Sequence, residues 1–177
     1  MNHIFLTGER GVGKSTIISR ITSGLDFVPK GFNTVVGDVS PDGNTDHIFI
    51  VPYGMSLTEK TDISPVAVRN RKERAFTAYP TVFDTLGVSI LKDSCDARFI
   101  ILDELGFMEN DATDFKAEVL QLLDGENPIL GVIKPRSTPF LDCARAHKNV
   151  TTIEVTVENR EAVFKKLRTV LHEQYAL

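Results

Sequence analysis

The segment "TGERGVGKST", residues 7–16, constrains the fold of this chain more than any other stretch. Gly8, Gly13, Lys14 and Ser15 have the spacing G-x-x-x-x-G-K-[ST] that is typical of a phosphate-binding P-loop. The apolar run "HIFLT" comes before the loop, and isoleucines with helical spacing come after it. The sequence therefore predicts a strand, a phosphate-binding loop and a helix, in that order.

The residue types in this loop suit a bound polyanion. Glycines let successive backbone N–H groups turn toward phosphate, and the positive end of the following helix points to the same place. Lys14 can reach the β- and γ-phosphates, while the Ser15 hydroxyl is a hard oxygen ligand for Mg²⁺. We therefore predict a nucleoside triphosphate site whose nucleotide-binding residues include Gly8, Glu9, Arg10, Gly11, Val12, Gly13, Lys14, Ser15 and Thr16.

A second candidate element is "FIILDELG", in which two acids end a buried apolar strand. Asp103 is placed to hold Mg²⁺ together with Ser15, and Glu104 to orient a water molecule in line with the γ-phosphate. Asp103 could instead cap a helix, and Glu104 could be a solvated loop acid. We favour the metal and catalytic roles, with Lys14 and Glu104 as catalytic residues, and these roles predict hydrolysis.

Strand and helix patterns alternate along the chain, which predicts the α/β class. We expect a single domain over residues 1–177, a P-loop NTPase three-layer α/β/α sandwich with a mostly parallel sheet. Residues 31–39 and 46–54 are joined by the turn-forming segment "SPDGNTD", so they predict an added antiparallel β-hairpin. Residues 55–80 are polar and predict a loop ahead of the next helix.

Composition excludes several classes of protein. The net charge of −4 gives no strong sign of nucleic-acid binding. Two cysteines are too few for a disulfide framework, and no apolar run is long enough to cross a membrane. We expect a protein that stays reduced in the cytoplasm, with no membrane segment, and a monomer is the simplest expectation.

Three further residues follow predicted strands and are therefore candidates for the ligand edge of the sheet. Asn159 and Arg160 could contact the base or ribose, or they could cap and begin the last helix. Arg136 in "IKPRSTP" could act as a catalytic arginine finger, although arginines in loops are commonly solvated. The basic run "VRNRKERAF" could bind phosphate, but such runs are more often solvated.

Taken together, these motifs resemble the small P-loop nucleoside-triphosphatase family that includes a human cancer-related nucleoside-triphosphatase and counterparts from hyperthermophiles. The resemblance covers nearly the whole chain through "LTGERGVGKSTII", "KGFNT", "ILDELGFMEN", "ILGVIK" and "IEVTVENRE". It implies slow, Mg²⁺-dependent hydrolysis of several nucleoside triphosphates to diphosphates, with Asp103 on the metal and Glu104 activating water. Glu109 matches a family acid, whereas Phe107 stands where many members have a lysine.

Three hypotheses follow. The first is a nucleoside-triphosphatase that acts on ATP, GTP and others; no Asn-Lys-x-Asp stretch restricts it to guanine. The second is a nucleotide or nucleoside kinase, in which an acceptor takes the γ-phosphate. The third is a nucleotide-dependent switch acting on a protein or RNA partner, in which hydrolysis times a conformational change. The first is our leading interpretation.

Overall fold

A computed structural model describes residues 3–41, 43–57 and 63–175. Its eight strands form one sheet in the order β5-β4-β3-β2-β6-β7-β1-β8. Strands β2, β6, β7, β1 and β8 are parallel neighbours, and β3, β4 and β5 continue one edge in antiparallel pairs. The strands are β1 His3–Thr7, β2 Lys30–Val39, β3 Thr45–Pro52, β4 Ala67–Asn70, β5 Ala75–Ala78, β6 Ile100–Leu105, β7 Ile129–Ile133 and β8 Val150–Glu154.

Helices cover both faces of the sheet. One apolar cluster joins the sheet to α1 and α6, and a second joins its other face to α3, α4 and α5. The described part of the chain contains no helix that is long and apolar enough to cross a membrane. The helices are α1 Lys14–Thr22, α2 Pro80–Val82, α3 Val88–Lys92, α4 Thr113–Asp124, α5 Pro139–Arg145 and α6 Arg160–Tyr175, with a π-helical segment, Phe83–Gly87, between α2 and α3.

This architecture confirms the predicted three-layer α/β/α sandwich and places the predicted hairpin, β2–β3, within the main sheet. The prediction of a loop over residues 55–80 was wrong, because β4 and β5 form a second hairpin there. Residues 58–62 of that prediction lie outside the described residues. The strands were missed because each has only four residues and the charged turn at 71–74 separates them, so neither gives a long apolar strand pattern.

The basic run on this second hairpin has a structural partner. Asp46 of β3 is fully enclosed, and it accepts hydrogen bonds from Arg69 Nε at 2.6 Å and from Arg71 Nε at 2.9 Å. Hydrogen bonds from Arg71 and then Arg69 hold the pKa of Asp46 below its ordinary value, despite the opposing effect of burial. Two of the arginines in "VRNRKERAF" therefore attach β4 and its turn to β3.

Gly31 shows why the predicted hairpin begins with a glycine. It pairs with Ile101 of β6 and has φ +116°, a conformation that side chains rarely adopt. A Cβ atom added at Gly31 would overlap the backbone carbonyl of Ile101. The antiparallel edge can therefore join the parallel strands at this position only through a residue without a side chain.

We expect Gly31→Ala to lower the free energy of unfolding by about 3 kcal/mol or more, because it combines backbone strain with a collision against a buried strand. Gly43→Ala is the matched control, since Gly43 also has positive φ but has open space around its α-carbon. Gly43→Ala should lower the free energy of unfolding by only about 1–2 kcal/mol. Urea denaturation measures both values, and equal losses in the two variants would contradict the proposed collision.

Candidate active site

The predicted phosphate loop lies between β1 and α1, and its shape depends on glycine. Gly8, Gly11 and Gly13 have φ values of +130°, +85° and +108°. A Cβ atom on Gly8 would overlap the carbonyl oxygen of Val155, beside β8. Positive φ turns backbone N–H groups into the bend, where the first turn of α1 adds its own unpaired N–H groups. The loop is thus built as an anion cradle.

The other loop residues take different positions. Val12 is buried in the core between the sheet and α1, so its side chain anchors the loop and only its backbone can face a ligand. Glu9, Arg10 and Gly11 are exposed at the outer bend, and Thr16 is exposed on the first turn of α1. The predicted phosphate-binding residues therefore form one contiguous loop.

Lys14 folds across this loop. Its Nζ donates hydrogen bonds at 2.7 Å to the carbonyl oxygens of Gly8 and Glu9, and the residue is only 9% exposed. Burial lowers the pKa of Lys14, whereas the nearby negative charges of Glu104 and Asp103 raise it. The ammonium group is therefore hydrogen-bonded to the loop backbone and lies close enough to Asp103 and Glu104 of β6 for their charges to act on it.

Ser15 and Asp103 meet at the mouth of the loop. The Ser15 hydroxyl donates to Asp103 Oδ1 at 3.3 Å. Burial raises the pKa of Asp103 to about 6, with the Ser15 hydrogen bond opposing that shift. A hydroxyl and a carboxylate are hard oxygen ligands, which fit a divalent ion that receives its remaining ligands from phosphate and water. The predicted metal pair is therefore adjacent in space, although 88 residues separate its members.

Asp103 and Glu104 are consecutive, and in a regular strand their side chains would point to opposite faces of the sheet. Strand β6 is irregular here. Asp103 pairs with Val132 and Leu105 pairs with Ile133, so two steps along β6 match one step along β7. Glu104 is thus the extra residue of a β-bulge, a feature that re-aims side chains. The negative charges of both acids raise the pKa of Lys14, as expected if both side chains lie near the loop.

A cation that the sequence analysis missed contacts Glu104. Lys134 Nζ lies 2.7 Å from Glu104 Oε1, and the two side chains are 30% and 29% exposed. Lys134 directly follows β7, which runs between β1 and β6. Its sequence signal is the one that identified the acids, a charged residue directly after a buried apolar strand.

Phe107 also has a defined setting. Its ring packs edge-on against Phe76 of β5, with centroids 5.1 Å apart. Two cations lie near the ring: Lys134 Nζ is 5.3 Å and the Arg136 guanidinium 4.9 Å from its centroid. Arg136 is exposed, and it shares the Phe107 ring with Lys134. Phe107 stands where the resembling family often has a lysine. In this chain Glu104 is nevertheless paired with a lysine, Lys134, which directly follows the neighbouring strand β7.

Glu109, the acid that matched the family, is fully buried next to this cluster. Its Oε2 accepts a hydrogen bond from the Gly106 N–H at 3.0 Å, whereas its Oε1 has no hydrogen-bond partner among the described residues. Burial raises the pKa of Glu109 to about 7, and the Gly106 hydrogen bond and the Lys134 charge oppose that shift. Glu109 is therefore a proton-binding group in the wall behind Glu104.

This raised pKa predicts a pH-dependent stability. The ordinary pKa is 4.5, so between that pH and about 7 the folded protein keeps a proton that the unfolded chain releases. The contribution of Glu109 to stability therefore falls as pH rises through this window. We expect the stability of Glu109→Gln relative to wild type to rise by on the order of 3 kcal/mol across it. Urea denaturation at a series of pH values measures this rise; parallel curves would refute it.

The loop after β8 carries Asn159 and Arg160, the residues predicted to contact the base or ribose. The aliphatic part of Arg160 approaches the α-carbon of Gly13, since a Cβ atom there would lie 3.5 Å from Arg160 Cδ. Asn159 instead uses its amide locally: Oδ1 accepts from the Thr156 N–H at 2.8 Å, and Nδ2 donates to the Glu154 carbonyl at 3.0 Å. Asn159 thus shapes the turn that presents Arg160 to the phosphate loop.

An open cleft of about 800 Å³ begins at Ser15 and Asp103 and runs between α1 and the β2–β3 hairpin. Among the described residues that line it, the charged ones are both acidic, Asp26 and Asp103. Hydroxyl and amide groups of Thr22, Asn33 and Tyr53 also face it, alongside apolar side chains. The cleft therefore adjoins the candidate metal pair, and its described lining contains no cation for a second phosphate group.

The chain is similar to known proteins over nearly its whole length. The family model described as NTPase matches residues 3–168. The nucleoside-triphosphatase THEP1 of Thermotoga petrophila is 28% identical over 171 residues, spanning 95% of this chain and 92% of that protein. The nucleoside-triphosphatase THEP1 of Methanocaldococcus jannaschii is 27% identical over 166 residues, spanning 93% and 94%.

Two solved structures share the fold. The crystal structure of THEP1 from the hyperthermophile Aquifex aeolicus matches with a TM-score of 0.67 and 24% identity, covering 97% of this chain and 99% of that one. The solution structure of a human cancer-related nucleoside triphosphatase matches with a TM-score of 0.67 and 23% identity, covering 98% and 99%. The resemblance in motifs therefore extends to the architecture of the whole sheet.

Proposed function

The chain belongs to the NTPase family and is a nucleoside-triphosphatase, and we propose that it hydrolyses ATP, GTP and other nucleoside 5′-triphosphates slowly, with Mg²⁺ and little base selectivity. The observation that carries the proposal is the bulge in β6, which brings Glu104 and Asp103 together at the mouth of the phosphate loop. A site that only binds nucleotide needs the metal-side acid but not the second one. The products are the nucleoside diphosphate, phosphate and a proton.

Each residue has one task in this proposal. Loop N–H groups and Lys14 neutralise charge on the β- and γ-phosphates, for which Lys14 exchanges its hydrogen bonds to the loop carbonyls for phosphate oxygens. Ser15 and Asp103 hold Mg²⁺, which supplies further positive charge to those phosphates. Glu104 accepts a proton from water while the water oxygen attacks the γ-phosphorus and the bond to the β-phosphate oxygen breaks.

The arginines extend the site in two directions. Arg160, beside Gly13, is proposed to contact the α-phosphate or ribose, with Asn159 positioning it through the turn. Arg136 is proposed as a catalytic cation that neutralises transition-state charge, because it lies on the Phe107 ring that also contacts Lys134, the partner of Glu104. Both arginines contact phosphate or sugar rather than base in this arrangement, which supports broad base specificity.

The cleft beside the metal pair favours a second candidate, transfer of the γ-phosphate to an acceptor. Its described lining carries acidic and neutral groups, so an uncharged acceptor with hydroxyl groups fits better than a nucleotide acceptor. Measuring ADP formation with and without adenosine or uridine separates the candidates. Labelled product on the nucleoside would support transfer, and equal phosphate release in both cases would support hydrolysis.

Purified protein incubated with ATP, GTP, CTP or UTP tests the leading proposal. We expect free phosphate from all four triphosphates in Mg²⁺ and none above background in excess EDTA. Release restricted to one base would contradict broad specificity, and equal release in EDTA would contradict the metal requirement. No release from any triphosphate would overturn the assignment of hydrolysis.

We further propose a cytoplasmic monomer whose partner is its nucleotide. Cys95 and Cys143 are both free, which suits a reducing compartment. Arg69 and Arg71 of the basic hairpin are paired with the buried Asp46, in keeping with the absence of a strong sign of nucleic-acid binding in the sequence. Size-exclusion chromatography with light scattering, with and without nucleotide, measures the oligomeric state.

A further inference from the structure

The Lys134–Glu104 ion pair has a position that hydrolysis alone does not explain. Lys134 directly follows β7, which lies between the phosphate-loop strand β1 and the strand of the two acids, β6, so its side chain starts between the two halves of the site. At present its ammonium group lies 2.7 Å from Glu104 Oε1, and both side chains are partly exposed to the open site. The residue proposed to activate water is thus held by a cation.

The backbone of Lys134 is held in place while its side chain is less constrained. The Lys134 N–H donates to the Leu105 carbonyl at 3.0 Å, and its own carbonyl accepts a hydrogen bond from Arg145. Arg145 also donates to the Arg136 carbonyl at 2.8 Å and to Asp142 at 2.7 Å. Arg145 of α5 therefore holds the loop backbone through two carbonyl groups. Movement at Lys134 is consequently confined to its four-carbon side chain.

The charges around the pair favour a change of partner when a triphosphate binds. The pKa of Lys14 responds to the negative charge of Glu104 and to the positive charge of Lys134, so the three groups lie within one electrostatic neighbourhood. A γ-phosphate held at Lys14 brings up to two negative charges to that neighbourhood, against one on Glu104. A diphosphate brings none to the γ-position. The ammonium group therefore has a stronger competing partner only when the substrate is bound.

From this geometry we propose that Lys134 is a catalytic residue that senses the γ-phosphate. In the free protein Lys134 forms an ion pair with Glu104. When a triphosphate is bound, the ammonium group moves to a γ-phosphate oxygen, and the carboxylate of Glu104 is then free to accept a proton from water. Lys134 then neutralises charge that develops on the γ-phosphate. After phosphate leaves, it returns to Glu104. This inference rests on the proposed roles of Lys14 and Glu104.

Binding measurements test the sensing without depending on turnover. Lys134→Met keeps the length of the side chain but removes its charge, and Lys134→Arg keeps the charge. Both are made in the wild-type and Glu104→Gln backgrounds, and the dissociation constants of ATP and ADP are measured for each. We expect Lys134→Met to weaken the binding of ATP about tenfold or more and the binding of ADP only slightly, in both backgrounds. Lys134→Arg should recover part of the lost ATP affinity. Lys148→Met, an exposed change far along the loop before β8, is the matched control.

Phosphate release supplies the second readout. We expect Lys134→Met to lower kcat in the wild-type background, because the γ-phosphate contact is lost even though Glu104 no longer has to be released from the ion pair. A fall in kcat with an unchanged ratio of ATP to ADP affinity would overturn sensing and make Lys134 only a positioning residue for Glu104. An equal loss of affinity for ATP and for ADP would also overturn the proposed sensing of the γ-phosphate. If wild type releases no phosphate, hydrolysis fails, yet the affinity ratio still decides whether Lys134 contacts the γ-phosphate.

Discussion

Glu104→Gln is expected to slow phosphate release from ATP by about 10²- to 10⁴-fold, the range that a general base contributes. Glutamine has nearly the same shape but cannot take a proton from water. The affinity for nucleotide should stay near that of wild type, because the loop amides, Lys14, Ser15 and Asp103 remain. Single-turnover phosphate release and equilibrium binding of ATP measure the two quantities separately.

The exposed Glu126, between α4 and β7, offers a matched control for this change. Glu126→Gln has the same chemistry at a distance from the phosphate loop and should leave both rate and affinity unchanged. Thermal unfolding of each variant shows whether a lower rate of phosphate release is caused by a loss of folded protein. Retained phosphate release in Glu104→Gln would remove Glu104 from the mechanism and transfer the task of orienting water to another group.

Lys14→Met is expected to impair binding and chemistry together. The ammonium group is the one cation enclosed by the described part of the phosphate loop, and a charge-assisted contact of this kind contributes about 1.5–3 kcal/mol. We therefore expect ATP to bind about 10- to 100-fold more weakly and kcat to fall by at least about 100-fold, because charge on the γ-phosphate increases in the transition state.

Stability separates this functional loss from misfolding. Burial opposes the charged form of Lys14, so the uncharged methionine should not lower the melting temperature. Lys148→Met, at an exposed site, should change neither affinity nor rate. A Lys14→Met variant with normal ATP affinity would contradict the proposed phosphate contact, whatever its kcat.

The phosphate loop could be predicted from sequence because its chemistry is local. Gly8, Gly13, Lys14 and Ser15 lie at fixed spacings within one short segment, which is what bends a backbone around phosphate. The two acids could be predicted for a related reason, since residues that follow parallel strands meet at one edge of the sheet. The pairing of Ser15 with Asp103 follows from these two rules together.

What could not be predicted depends on neighbours in space. The order of strands decides that β7 lies between β1 and β6, and only that order makes Lys134 a partner of Glu104. The second hairpin escaped prediction because its arginines are bound by Asp46, a residue of another strand. Asn159 had two reasonable roles, and its hydrogen bonds to the turn favour the structural one.

The bulge in β6 has a consequence for how such proteins diversify. Glu104 faces the phosphate loop because β6 contains one residue more than β7 at that point. Loss of a single residue there would restore regular pairing and return the neighbouring side chain to the opposite face, with the phosphate loop untouched. We therefore expect nucleotide binding and nucleotide hydrolysis to be separable, since a change confined to β6 can remove the acid proposed to activate water and leave the loop that binds phosphate intact.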